Sequence, residues 1–259
     1  MNYENIRLEH DGGVTRVIID RPPLNAVSLG LLEDILHALA ALASRDETRC
    51  IVLMGAGHKA FSAGADLKSA SSDPGASTTF RDLGRAVLDA IETHPKPVVA
   101  AIRGWCIGGG FAIAMAADIR IASDTAKFRT ADAYIGVVPS WGMSLTRLAH
   151  FIGRNRCMDM LMLGEDTSAA AAQDLGLLTS VTPDDAFDEE VERVSRRLAS
   201  GAPIVFKSIK EAVRAQYWDT PADARDLEAK WSDFNARSRD YQEGRAAFAE
   251  KRPPVFTGI

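Results

Sequence analysis

Residues Arg103–Ala117 read RGWCIGGGFAIAMAA. An apolar run, Pro97–Ile102, leads into them, and three consecutive glycines, Gly108–Gly110, precede a small-residue segment, Phe111–Ala117, that stops near Asp118. This order predicts a strand, a glycine turn and a helix. The first N–H groups of such a helix have no intrahelical acceptor, and the positive end of its dipole points outward. Glycines let a ligand approach that backbone closely. The stretch therefore reads as a site for negative charge. That charge is either a phosphate or an oxyanion formed during a reaction.

The remaining composition narrows the choice. A chain of 259 residues that is 46% hydrophobic can bury one large core. Thirty Lys+Arg against 35 Asp+Glu leave a net charge of -5, which disfavours a general nucleic-acid binder and leaves a local basic patch open. Cys50, Cys106 and Cys157 are far apart and form no CxxC, so the expectation is no metal site, no disulfide framework and a reducing, cytoplasmic setting. The first residues, MNYENIRLEHDGG, carry no apolar leader, and no stretch approaches the roughly 18 apolar residues of a membrane span.

Taken in order, Ile6–Glu9 and Val14–Asp20 around Asp11-Gly12-Gly13 predict a β-hairpin. Ser28 caps a predicted helix over Leu29–Ala43, and Cys50–Met54 reads as a buried strand. Gly55-Ala56-Gly57-His58-Lys59-Ala60 has the spacing of a dinucleotide fingerprint, but Phe61-Ser62-Ala63-Gly64 does not continue it as a helix. A helix start is expected at Ala65–Lys68, with Asp66 in its first turn, and a mobile surface loop over Ser69–Thr79. Phe80–Thr93 is a predicted amphipathic helix and Pro97–Ile102 a strand. Ile119–Ala122 and Lys127–Arg129 are predicted strands, and Ile135–Pro139 a loop. Helices are expected at Ser144–Ile152, Arg156–Leu163, Ser168–Asp174 and Phe187–Ala199, with a strand at Leu178–Val181. From Ile204 onward the pattern is helical and more charged, with Trp218, Trp231, Phe234, Tyr241 and Phe248 as packing anchors or as a surface that docks on a neighbouring subunit. The pattern as a whole is α/β with a helical tail.

Several of these stretches together resemble the crotonase superfamily, the enoyl-CoA hydratase/isomerase family. The resemblance is carried by Arg21-Pro22-Pro23-Leu24-Asn25-Ala26, Phe61-Ser62-Ala63-Gly64-Ala65-Asp66-Leu67-Lys68, Gly104–Gly110, Ala117-Asp118-Ile119-Arg120, Ala126-Lys127-Phe128 and Ile135–Pro139. It continues into the tail at Glu243-Gly244 and Phe248-Ala249-Glu250-Lys251-Arg252. It implies an α/β superhelix of ββα units over residues 1–200, holding the CoA thioester site. A C-terminal helical region, residues 201–259, would serve trimerisation and site closure. It implies a homotrimer or homohexamer acting on an acyl-CoA, with coenzyme A as part of the substrate and no other cofactor. The shared step is stabilisation of a thioester enolate by two backbone N–H groups, here those of Ala65 and Gly109. On the substrate-binding side it places Ala26, Ala63, Asp66, Leu67 and Lys68, the last toward a CoA phosphate; Asp66 also reads as a helix cap. Ser140 and Trp141 would line the acyl pocket, and Phe248 and Lys251 would contact CoA on an adjacent subunit.

The chain departs from the hydratase pattern at one acid. Hydratases of this family carry a glutamate two residues past the glycine triplet, where this chain has Ala112. Their second glutamate is matched by Asp132, a carboxylate one methylene shorter. Alanine transfers no proton, so single-acid double-bond isomerisation through Asp132 is the favoured reading, with an atypical hydration as the variant. The dehalogenase branch places a nucleophilic carboxylate after this loop, where Ser140 stands. Three other readings stay open: a non-catalytic acyl-CoA-binding or scaffold protein, a serine hydrolase using Ser62 with Asp118 or Asp132 and His150, and an RNA-binding relative.

Overall fold

The computed structural model describes residues 3–67, 74–141, 147–201, 203–217, 233, 236–252 and 254. The chain opens with the hairpin β1 (Ile6–Asp11) and β2 (Val14–Ile19), followed by α1 (Leu29–Ala43), whose first turn is capped by the Ser28 side chain accepting from the Leu31 N–H. A repeated unit follows. β3 (Cys50–Gly55) and β4 (Ala60–Ser62) lead to α2 (Pro74–Glu92), and β5 (Val98–Ile102) and β6 (Trp105–Ile107) lead to α3 (Gly109–Ala116). β7 (Ile119–Ser123) and β8 (Lys127–Arg129) precede a short 3-10 helix, Asp132–Ile135, and α4 (Leu148–Leu163). The remainder is β9 (Thr167–Ser168), α5 (Ala169–Asp174), β10 (Ser180–Thr182), α6 (Phe187–Ala199), α7 (Pro203–Tyr217) and α8 (Arg239–Glu250).

Each unit contributes one strand to each of two sheets. The larger has the order β1-β2-β3-β5-β7-β10 and is parallel except for the β1–β2 pair. The smaller has the order β4-β6-β8-β9, with β4, β6 and β8 parallel. The larger sheet's central strands, β2, β3, β5 and β7, are largely buried on both faces, which explains their apolar runs. Successive strand residues point to opposite sides. Cys50, Val52, Val99, Ala101 and Ile121 meet Phe187 and Val191 of α6, while Ile51, Leu53, Val98, Ala100 and Ile102 face the core built with α1, α2 and α3. No helix among the described residues is long and apolar enough to cross a membrane.

One expectation is corrected. The loop expected over Ser69–Thr79 is helical from Pro74, because α2 begins six residues before the apolar periodicity does; residues 68–73 lie outside the described residues. The two helices expected at Ser144–Ile152 and Arg156–Leu163 are both found within α4, where the non-helical backbone of Gly153 (φ 75°, ψ 160°) separates them; residues 142–146 lie outside the described residues. The short strands β4, β6 and β9 were not expected, since two or three residues show no periodicity of their own.

Helix α7 is tied to the core by an ion pair. Lys210 Nζ lies 2.7 Å from Asp118 Oδ2, just beyond α3, and also donates to the Ile91 and Lys96 carbonyls. Asp118 Oδ2 additionally accepts the Val98 N–H at 2.8 Å. Burial pushes the Asp118 carboxyl above its usual range, and Lys210 opposes that shift. Lys210→Ala leaves this carboxylate without its cation and is expected to lower stability by about 2 kcal/mol, less than for a fully enclosed pair. Urea unfolding of the two proteins measures it; a change under about 0.5 kcal/mol would show that the pair does not anchor α7.

Candidate functional site

The small sheet assembles the site. β6 pairs in parallel with β4 (Ala60 with Trp105, Ser62 with Cys106) and with β8 (Lys127 to Arg129 opposite Trp105 to Ile107). Three segments therefore leave the sheet at the same edge: Ala63–Ala65 after β4, Gly108–Gly109 after β6, and Thr130–Asp132 after β8. Sites in α/β proteins form beyond the C-terminal ends of parallel strands for this reason.

Two backbone N–H groups are turned into this edge. Val27 donates to the Gly64 carbonyl at 2.7 Å and accepts from the Asp66 N–H at 2.8 Å, forming a parallel bridge with Ala65. A residue whose two neighbours bond to the partner strand turns its own N–H to the other side. The Ala65 N–H thus points away from Val27. Gly109 is the first residue of α3, so its N–H has no acceptor within the helix. Gly64, at φ +79°, brings the two segments together: a Cβ there would lie 2.8 Å from the Ile107 carbonyl oxygen and 3.4 Å from the Gly109 nitrogen.

Asp132 enters from the third segment, at the start of the 3-10 helix. That helix is closed by Gly136 in the left-handed conformation and by the Val137 N–H donating to the Asp132 carbonyl at 3.0 Å. The Asp132 side chain is aimed inward. A Cβ on Gly108 would lie 4.0 Å from its Oδ1, and Oδ2 is buried with no hydrogen-bond partner among the described residues. Burial raises its pKa from the ordinary carboxylate value to about 6, and its own backbone N–H offsets part of that shift. Ala112 lies one turn into α3, 4% exposed, and presents a methyl group.

The remaining expected residues fall in three places. Ala26, Ala63, Asp66 and Leu67 form a half-buried strip beside the Ala65 bridge, in which Ala63 donates to the Leu24 carbonyl. The Asp66 carboxylate pairs with Arg21 Nη2 at 2.7 Å, and the same guanidinium donates to the Ala26 carbonyl; the turn that Asp66 was expected to cap runs into residues 68–73, outside the described residues. Lys68 lies outside the described residues. Ser140 is buried and its carbonyl accepts from Arg85 Nε at 3.0 Å, while Trp141 packs against Gly84, Gly109 and Phe80. Phe248 and Lys251 are exposed at the end of α8, which packs on the 3-10 helix through Gly244. The helix that carries Phe80, Gly84 and Arg85 was expected to shape the acyl pocket, but these residues were not singled out in it; the one signal for them is a glycine within an amphipathic helix.

Ser62 does not fit a hydrolase nucleophile. It is fully buried against Gly110, and its Oγ accepts from the Gly64 N–H. Asp118, one proposed triad partner, is held by Lys210 and the Val98 N–H. Among the described residues no group of three or more His, Cys, Asp or Glu is arranged to hold a metal ion.

Comparison with known proteins gives a consistent result. A sequence model of the enoyl-CoA hydratase/isomerase family matches residues 9–258. A probable enoyl-CoA hydratase of Rhodobacter capsulatus is 34% identical over 100% of both chains. A crystal structure of an enoyl-CoA hydratase from Mycobacterium avium subsp. paratuberculosis superposes with a TM-score of 0.89 at 33% identity, over 99% of this chain and 100% of that one. A methylmalonyl-CoA decarboxylase in complex with 2-nitronate-propionyl-CoA superposes with a TM-score of 0.88 at 28% identity, over 100% of both.

The buried carboxyl of Asp132 has a consequence for stability. Its folded-state pKa lies above the unfolded value, so between about pH 4 and pH 6 the folded protein binds more protons than the unfolded chain, and stability falls as pH rises through this window. Asp132→Asn is expected to be more stable than the native protein above pH 6, by up to about 3 kcal/mol, and equal to it below pH 4. Denaturant unfolding at pH 4 and pH 8 checks this; an equal effect at both would contradict it.

Proposed function

This chain belongs to the enoyl-CoA hydratase/isomerase family, and on that premise we propose that it shifts the double bond of an enoyl-CoA thioester with Asp132 as its one acid–base group. The observation that carries the proposal is the Asp132 Oδ2, buried and without a hydrogen-bond partner among the described residues, beside a helix in which position 112 is alanine. With a pKa near 6, Asp132 is mostly ionised at neutral pH and becomes a competent acid once it has taken a proton.

In the proposed reaction the Asp132 carboxylate removes a proton from the α carbon of a 3-enoyl thioester. The electron pair moves into the thioester, giving a dienolate. Its oxygen is held by the N–H groups of Ala65 and Gly109, with the positive end of α3 behind the second. Asp132, now neutral, returns the proton to the γ carbon, and the double bond ends conjugated to the thioester. One proton leaves and one returns, so one carboxyl suffices. Hydration also needs a group to deliver water or its proton from a second position, and the Ala112 methyl supplies neither.

Coenzyme A enters as part of the substrate and no further cofactor is proposed. Its nucleotide end is assigned to the strip of Ala26, Ala63, Asp66 and Leu67. The exposed Phe248 and Lys251 suit contact with CoA bound to a neighbouring copy in a homotrimer or homohexamer.

Asp132→Asn is expected to lower turnover of a 3-enoyl-CoA by about 10²–10⁴-fold while acyl-CoA affinity stays within a few-fold. Retained turnover would remove Asp132 from the mechanism, and a native protein that binds acyl-CoA without turning it over would make this a binding protein. In the native enzyme kcat/KM should fall about tenfold per pH unit below pH 6, following the free carboxylate. A profile flat between pH 5 and pH 7 would contradict that assignment.

A further inference from the structure

The Trp141 indole is seated on two glycines from different helices. A Cβ at Gly84, in the middle of α2, would lie 2.6 Å from both Cδ2 and Cε2 of the indole, and a Cβ at Gly109 would lie 2.9 Å from Cη2 and Cζ3. Both distances are shorter than a side-chain carbon tolerates, so any larger residue at either position would displace the ring. A glycine within a helix costs about 1 kcal/mol relative to alanine. At Gly84 that cost makes room for the indole.

The ring is also held in place. Phe80, one turn before Gly84, packs against it with centroids 5.1 Å apart at a tilt of 58°. The preceding Ser140 carbonyl accepts from Arg85 Nε at 3.0 Å. Further along the chain, Arg147 pairs with Asp89 and Glu92 of the same helix. Ser140 and Arg147 are thus each tied to α2, and the indole spans from α2 to the first turn of α3.

That position bounds the space beside Gly109. If the Gly109 N–H holds the thioester oxygen and the strip of Ala26, Ala63, Asp66 and Leu67 takes the CoA side, the acyl carbons beyond the reacting centre pass the first turn of α3, where the indole is seated on Gly109. The indole occupies the space between that turn and α2. We propose that Trp141, seated on Gly84 and Gly109, closes the far end of the acyl pocket and makes the enzyme selective for short acyl chains. This inference rests on the assignment of Gly109 to the thioester given above.

The test compares 3-butenoyl-CoA with 3-decenoyl-CoA as substrates, and butyryl-CoA with decanoyl-CoA as unreactive ligands followed by calorimetry. In Trp141→Ala the long-to-short ratio of kcat/KM is expected to rise about tenfold or more over the native enzyme, the scale on which methylenes are discriminated in apolar pockets. The affinity ratio should move in the same direction. Trp141→Phe keeps a ring on the two glycines and should give a smaller rise, which preserves the test if the alanine variant does not fold. Ratios within about twofold of the native enzyme in both variants would overturn the inference. A shift in the affinity ratio in a protein that isomerises neither substrate would support the pocket wall while removing the isomerase reading. Asp132-dependent turnover with unmoved ratios would do the reverse.

Discussion

Because β6 takes β4 on one side and β8 on the other, both in parallel, three chain segments must end their strands at one edge of the small sheet. Everything chemical in the molecule depends on that constraint. One segment turns the Ala65 N–H outward, the next begins α3 with Gly109, and the last delivers Asp132. A slip of one residue in either pairing would turn these groups to the other face. The large sheet supports the arrangement by burying both faces of its central strands, so the strand pairs that feed the small sheet cannot shift independently.

Electrostatics then separates the two halves of the site. The α3 N-terminus and the Ala65 bridge offer N–H groups that favour negative charge on a ligand. Asp132 is a few ångströms from Gly108 but enclosed, and desolvation resists its ionisation, so its carboxyl titrates near pH 6. A folded protein gains nothing in stability from a buried carboxyl with an unsatisfied oxygen; such groups are concentrated where protons are moved. The three cysteines behave differently. All are buried, and burial raises their thiols, Cys50 to about 12, which leaves them inert packing groups.

Much of the fold was legible in the sequence where the signal was local. The Gly108–Gly110 run before an alanine-rich segment marks the start of α3, and the apolar runs at Cys50 and Val98 mark strands buried on both faces. The family resemblance was legible from ordered motifs, and the match over residues 9–258 agrees with it. The start of α2 was not legible, because Pro74 to Thr79 is a run of small and polar residues that reads as a loop until the core-facing pattern begins at Phe80. Three-residue strands such as β4 and β6 carry no period, and their existence depends on partners far along the chain. At the site, Asp132 could be named from its place before Ile135–Pro139, but its enclosure could not, since that depends on the packing of the 3-10 helix beside Gly108. The seat of Trp141 was hidden for the same reason: Gly84 and Gly109 are 25 positions apart, and nothing local links either to an indole.

The central claim is that one carboxyl moves one proton along an enolate and that no water is added. Incubation of a 3-enoyl-CoA with the enzyme in deuterated water, followed by mass spectrometry of the thioesters, tests it most directly. The account predicts a conjugated 2-enoyl product whose γ carbon has received the proton taken from the α carbon, with deuterium there only to the extent that Asp132 exchanges with solvent before returning it, and no hydrated thioester. Accumulation of a 3-hydroxyacyl-CoA, or a substrate recovered with neither isomerisation nor exchange, would contradict it.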